Sequence, residues 1–226
     1  GGKVNLVGLC QGGWMAGMFA ARYPEKAACF VAAGSPLDAD AGHGFIKNIA
    51  KQEPMSFFES LVEMGGGLMR GKFMLAGWKA MHPEVHYLKN YVDLYENVED
   101  PAFLKKRDEF ARWYEHPLDL PGRWYLQAIR HIFKNNEFCK GDFMALGRKI
   151  GLHDITCPAY LLAGEGDDIT PYQQVFEADK RLGTPKDKIV KKLVPGGHIG
   201  LFMGTKTLKE AWPEVAKWIK EVSPGS

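Results

Sequence analysis

An α/β fold, with a mostly parallel sheet, helices on both faces and a large helical cap insertion, follows from three features of the chain. Short apolar runs that end in glycine-rich turns occur near both ends of the sequence. A long aromatic-rich stretch separates them. The first run leads into Gly8-Leu9-Cys10-Gln11-Gly12, a cysteine flanked by glycines between a strand and a helix. Val4-Asn5-Leu6-Val7 predicts the first strand, and Gly13 to Tyr23 predicts a helix stopped by Pro24. A G-x-nucleophile-x-G turn crowds strand against helix. Gly8 and Gly12 are therefore expected to relieve that crowding by carrying no Cβ. Small residues recur four apart as Gly12, Ala16, Ala20 and as Gly13, Gly17, Ala21, so the helix can lie close against a sheet.

Ala28 to Ala33 is a continuous apolar run, the signature of a parallel strand covered on both faces, and it ends in the turn Gly34-Ser35-Pro36-Leu37-Asp38. The next apolar strand starts only at Ala159. The intervening segment carries Phe57, Phe58, Trp78, Tyr87, Tyr91, Tyr95, Phe110, Trp113, Tyr114, Trp124 and Tyr125. Pro101 to Trp113 and Arg123 to Asn135 have helical periodicity, with Leu126, Ile129 and Phe133 on one face of the second. The insertion is expected to cap the carboxyl edge of the sheet, where open α/β folds bind ligands, with most aromatics forming its core and a minority lining a tunnel. Gly65-Gly66-Gly67 is expected to be a flexible cap loop. Tyr160 to Ala163 and Ile189 to Val194 predict the last two strands. Thr170-Pro171 should open a helix that Gly183 closes. The final helix carries Val215, Trp218, Ile219 and Val222 on one stripe, expected to pack on the sheet. The organisation predicted is a core part at 1–52, a helical cap at 53–150 and a second core part at 151–226.

A chain of 226 residues can bury a sizeable core, and 46% hydrophobic with 25% charged residues is ordinary globular composition. A net charge of +2 gives no reason to invoke nucleic acid or an acidic membrane surface. No apolar run reaches membrane-spanning length. The cysteines Cys10, Cys29, Cys139 and Cys157 lack zinc-ligand spacing, which points to a reducing cytoplasm and to no metal or other cofactor. His82 and His86 stand four apart without the glutamate that a zinc-protease helix carries directly after its first histidine. They are read as surface residues.

Alone, the Cys10 pattern is weak, because free cysteines are mostly buried and inert. The far end of the chain strengthens it. Gly164-Glu165-Gly166-Asp167-Asp168 follows one late strand, and Pro195-Gly196-Gly197-His198 follows the next. Nucleophile, acid, then histidine is the chain order of the α/β-hydrolases. Cys10 is thus the candidate nucleophile, Asp167 the acid and His198 the base, with the backbone N–H of Gln11 as an oxyanion donor. Asp168 is the nearest alternative acid. Asp38 is a remoter one, more simply a turn residue. An elbow at residue ten also leads to the expectation that the sheet's first strands, and a second oxyanion donor, are missing from this polypeptide, leaving it poorly active alone.

At these residues the sequence resembles the polyhydroxyalkanoate enzymes, cysteine-dependent α/β-hydrolases that make or degrade bacterial storage polyesters. Glu165 to Thr170 with Gln173, and Gly197 to Gly204, are similar to intracellular poly(3-hydroxybutyrate) depolymerases. So are Trp113-Tyr114-Glu115, Leu118 to Pro121 and Trp124-Tyr125-Leu126. Depolymerases of this type tend to have proline soon after the Cys-Gln pair, whereas Cys10-Gln11-Gly12-Gly13 resembles the polyhydroxyalkanoate synthases. The resemblance implies an acyl-cysteine mechanism on a polyester or 3-hydroxyacyl ester, with Asp167 rather than Asp168 as the acid. Hydrolysis is the first expectation. A synthase-like acyltransferase using 3-hydroxyacyl-coenzyme A is the alternative, and an inactive protein binding the polymer granule surface is a third reading. Oligomerisation stays open.

Overall fold

A computed structural model of the protein describes residues 2–223. Its main sheet has four parallel strands, β1 (Val4–Leu9), β2 (Ala27–Ala33), β3 (Ala159–Gly164) and β4 (Ile189–Val194), neighbours in that order. They lie where the apolar runs predict strands. β2 and β3 are the inner strands, flanked on each side and almost wholly buried, which is why both read as unbroken apolar runs. β1 and β4 are the sheet's edges among the described residues. β4 carries Lys191 and Lys192, while β1 exposes Val4, Val7 and Leu9.

The longer helices are α1 (Gln11–Arg22), α2 (Phe45–Gln52), α3 (Met55–Met64), α4 (Gly71–Met81), α5 (Asn90–Glu96), α6 (Pro101–Tyr114) and α7 (Gly122–Gln127). After β3 come α8 (Tyr172–Phe176), α9 (Gly200–Met203) and α10 (Thr205–Val222). The chain divides into two compact units, Gly1–Gln52 with Ile129–Ser226, and Glu53–Ala128. Residues 129–150, expected in the cap, cluster with the sheet unit, where Phe138, Cys139 and Ile150 are buried.

In the sheet unit, α1 turns its Gly13-Gly17-Ala21 row inward. A Cβ on Gly17 would come within 3.3 Å of the rings of Phe30 and Phe138. In the other row Ala20 is buried, but Gly12 has open space where a Cβ would stand, so its expected crowding is absent. Gly8 and Gly13 bear it instead. A Cβ on Gly8 would lie 2.4 Å from both the Gly12 oxygen and the Gly13 Cα. α10 packs Val215, Trp218 and Ile219 on a core of Val31, Ala33, Tyr160 and Leu162, as its stripe predicts. α8 is shorter than expected. Pro171 occupies its N-cap, and the helix gives way to a 3-10 turn at Glu177–Lys180. Gly183 lies beyond both and serves close approach, since a Cβ there would meet the His153 oxygen at 2.1 Å. The predicted helix over 123–135 divides as well. α7 continues as a π-helical turn, Ala128–Lys134, with Asn135 N–H donating to the Arg130 oxygen. The wider turn buries Ile132 beside Ile129 and leaves Phe133 only half-buried.

The Glu53–Ala128 unit is a helical array with a small core of Phe58, Met69 and Leu75. Asp100 caps α6 by accepting from the Ala102 and Phe103 amides, and Pro101 supplies a first turn that needs no N–H. Asp119 accepts from the Gly71 amide at the start of α4 and pairs with Arg70 at 2.8 Å. The triple-glycine stretch forms a turn in which Gly66 and Gly67 have φ of 69° and 88°. There the Gly67 oxygen accepts from Gly122 N–H. The expectation of an aromatic cap core fails for Phe57, Tyr87, Tyr91, Tyr95, Phe110 and Trp113, which are exposed. Ring stacking sets His86 on Tyr114 and Tyr114 on Phe110. No helix among the described residues is long and apolar enough to cross a membrane.

Candidate active site

Cys10 stands at the junction of β1 and α1. Its amide donates to the Ala33 oxygen at 2.9 Å, and its own carbonyl accepts from Gly13 N–H at 3.0 Å. These bonds force a tight reversal, and Cys10 takes φ 50° and ψ −123°. For a residue with a side chain, that backbone costs on the order of 1–3 kcal/mol and persists only where its surroundings impose it. Gly8 makes the reversal sterically feasible, and Gly13 lets Ser35 approach, since a Cβ there would lie 2.4 Å from the Ser35 hydroxyl. Gln11 is the first residue of α1, so its N–H is among the helix donors without an intrahelical acceptor.

Asp167 and His198 lie on loops that follow the adjacent strands β3 and β4. The loops are stitched together: Glu165 N–H donates to the Val194 oxygen and Gly166 N–H to the Gly196 oxygen. Gly164 permits this, because a Cβ there would stand 2.7 Å from the Gly196 oxygen. Asp167 is 5% exposed and His198 7%. Asp167 Oδ1 accepts from the Thr170 and Ile169 amides, which pin the carboxylate. Its Oδ2 lies 2.7 Å from His198 Nδ1. A carboxylate only accepts, so the ring carries its proton on Nδ1 and turns Nε2 away from Asp167.

Burial alone would lower the His198 pKa. Hydrogen bonding to Asp167 and to Cys10, with the charge of both, outweighs burial and pushes it up to about 10. Cys10 and Asp167 thus both act on this ring. Asp168 is exposed, and the carboxylate 2.7 Å from His198 Nδ1 is that of Asp167. Asp38 lies in the loop after β2, where its Oδ1 accepts from the Asp40 amide and the Asn136 side chain, a turn role. His82 is exposed, and no group of three or more His, Cys, Asp or Glu among the described residues is arranged to hold a metal ion.

Two neighbours of the ring were not singled out in the sequence. Gly34, read there only as part of a turn signal, has φ 53°. Phe202 stands perpendicular to the His198 ring at 5.2 Å between centroids.

Comparison with known proteins identifies the family of the chain. A family model described as PHB de-polymerase C-terminus matches residues 34–223. The chain belongs to that family. The matched span contains Asp167 and His198 and begins after Cys10. A poly(3-hydroxyalkanoate) polymerase subunit PhaC of Allochromatium vinosum is 27% identical over 220 residues, covering 97% of this chain and 60% of the relative. The Haloferax mediterranei protein of the same name is 26% identical over 221 residues, 98% of this chain and 44% of the relative. The chain therefore spans roughly half the length of these curated relatives. Among solved structures, a monoacylglycerol lipase of Paleococcus ferrophilus aligns with a TM-score of 0.54 at 17% identity, covering 98% of this chain and 70% of that one. An esterase of Thermogutta terrifontis aligns with 0.55 at 16%, covering 98% and 66%. These likenesses establish the α/β-hydrolase fold.

Proposed function

We propose that this chain carries the acyl-transfer centre of a polyhydroxyalkanoate polymerase, with Cys10 as nucleophile, His198 as general base and acid, and Asp167 orienting the ring. The observation that carries this reading is the pairing of a strained, glycine-flanked cysteine with a buried Asp167–His198 couple, in a chain similar over 97–98% of its own length to proteins named polymerase subunits. The Cys10-Gln11-Gly12-Gly13 elbow supports the same choice.

The neutral ring, made a strong base because Asp167 stabilises its imidazolium form, takes the Cys10 proton and becomes that imidazolium, leaving a thiolate. The thiolate attacks the thioester carbonyl of a 3-hydroxyacyl-coenzyme A, forming a sulfur–carbon bond, and the Gln11 N–H holds the oxyanion. The intermediate collapses, the carbon–sulfur bond to coenzyme A breaks, and His198 returns the proton to the departing thiolate. Acyl-Cys10 remains. The hydroxyl at the end of a growing chain, deprotonated by His198, then attacks it, forming the new ester and releasing Cys10. Asp167 fixes the ring tautomer throughout. On this reading the polyester is the product formed at the site, and the granule surface is where the protein would meet it.

Hydrolysis is the second reading, favoured by the family description and the depolymerase-like segments around Asp167 and His198. Water would then resolve the same acyl-cysteine. One assay separates the two. Release of free coenzyme A from 3-hydroxybutyryl-coenzyme A with chain growth is the expected result. Monomer release from amorphous polymer, without chain growth, would overturn the polymerase reading in favour of the depolymerase. Neither reaction from a folded protein, with Cys10 no more readily alkylated than Cys157, would leave only the granule-binding reading.

A further inference from the structure

Beyond its carboxylate partner, the His198 ring has two apolar neighbours from different elements. Gly34 is the residue immediately after β2, and its amide is held by the Leu162 oxygen of β3 at 2.9 Å. A Cβ built there would lie 3.3 Å from His198 Cε1, 3.3 Å from Phe202 Cζ and 2.9 Å from Leu201 Cδ1. The missing methyl is therefore the space in which the imidazole, the phenyl ring and Leu201 converge. Phe202 belongs to α9 and packs on the core of Val31, Ala33, Tyr160 and Leu162, so its ring is anchored independently of the histidine. Its perpendicular arrangement with the imidazole is a favourable edge-to-face geometry.

We infer that Gly34 and Phe202 are positioning residues that set the orientation of the His198 ring, Gly34 by leaving room beneath Cε1 and Phe202 by bracing the ring from the side. Asp167 constrains one atom of the ring. The bonds to Asp167 and Cys10 leave the ring free to tilt about the line that joins them, and the Gly34 floor with the Phe202 wall removes that freedom. Nε2 is then held in the direction that general-base work at the elbow requires. The titratable groups acting on the ring are Asp167 and Cys10. This inference rests on the proposed role of His198.

Gly34→Ala should push the ring off Asp167, and Phe202→Leu should let it swing. Both weaken the 2.7 Å bond that favours the imidazolium. The measurement is the His198 ring titration by nitrogen NMR, together with the pH profile of Cys10 alkylation, in wild type, Gly34→Ala, Phe202→Leu and Phe202→Tyr. Gly42→Ala is the control, since Gly42 shares the left-handed backbone at φ 59° but faces Gln173 instead of the histidine. In Gly34→Ala the His198 titration should fall by about one unit or more, with alkylation at neutral pH slowed about tenfold. Phe202→Leu should shift in the same direction by less, while Phe202→Tyr and Gly42→Ala titrate as wild type. If Gly34→Ala does not fold, the Phe202 pair decides. Wild-type titration in folded Phe202→Leu, or an equal shift in Gly42→Ala and Gly34→Ala, overturns the inference. Alkylation unchanged by His198→Ala would instead defeat the catalytic assignment, a failure the NMR titration keeps separate.

Discussion

The sheet unit buries Phe30, Val31, Leu161 and Leu162 completely, whereas the 53–128 unit leaves Tyr87, Leu88, Tyr91 and Tyr95 open to solvent. Both are rich in large apolar side chains, so composition does not separate them. The difference lies in what each backbone offers to pack against. A parallel strand between two others has covered faces, and every side chain on it finds neighbours. A short helix such as α5, preceded by a π-helical turn at Val85–Lys89, projects side chains all round, and only some of those directions are filled. The sheet unit is consequently held by an extensive core, and the helical unit by a small one supplemented by end caps, ion pairs and ring stacking. The candidate site belongs wholly to the sheet unit, where loops are fixed by the strands they follow.

The sharpest break in this contrast comes from the elbow. Gly8→Val would drive a side chain into the backbone at Gly12 and Gly13, and the expected outcome is loss of the cooperative unfolding transition. A normal transition would show that the β1–α1 reversal is less constrained than described. Next in size is Leu162→Ala. Emptying a fully buried site should cost about 2–5 kcal/mol, read from the urea midpoint. A loss below about 1 kcal/mol would mean that the sheet core can collapse around the cavity. In the helical unit, Asp100→Ala removes the two amide bonds that start α6. It should cost about 1 kcal/mol and raise hydrogen exchange in the first turn of α6 while leaving β3 protected. Tyr95→Ser, at a position 82% exposed, should change stability by no more than about 0.5 kcal/mol. A larger loss would show that this tyrosine is covered in solution.

The same contrast explains what was legible in the residues. β2 and β3 read directly as strands because inner parallel strands must be apolar on both faces. The stripe on α10 predicted its packing for a similar reason. The division of the 123–135 helix was not legible, since an amphipathic pattern does not distinguish an i+4 from an i+5 bond over one turn. The exposed tyrosines were misread because a helical sequence reports which residues share a face, not whether anything covers it. At the site, chain order pointed to Asp167 and His198, and the structure brings them within 2.7 Å. Gly34 and Phe202 were not singled out, because their meeting at the ring depends on how the loops after β2 and β4 converge.

The central claim is that Cys10 becomes acylated during turnover. Mass spectrometry of protein quenched during reaction with 3-hydroxybutyryl-coenzyme A tests it most directly. The account predicts a single hydroxyacyl group on the peptide bearing Cys10, absent in Cys10→Ala and accumulating far more slowly in His198→Ala. Turnover with an unmodified Cys10, or an acyl group on Cys29, Cys139 or Cys157 in its place, would contradict it.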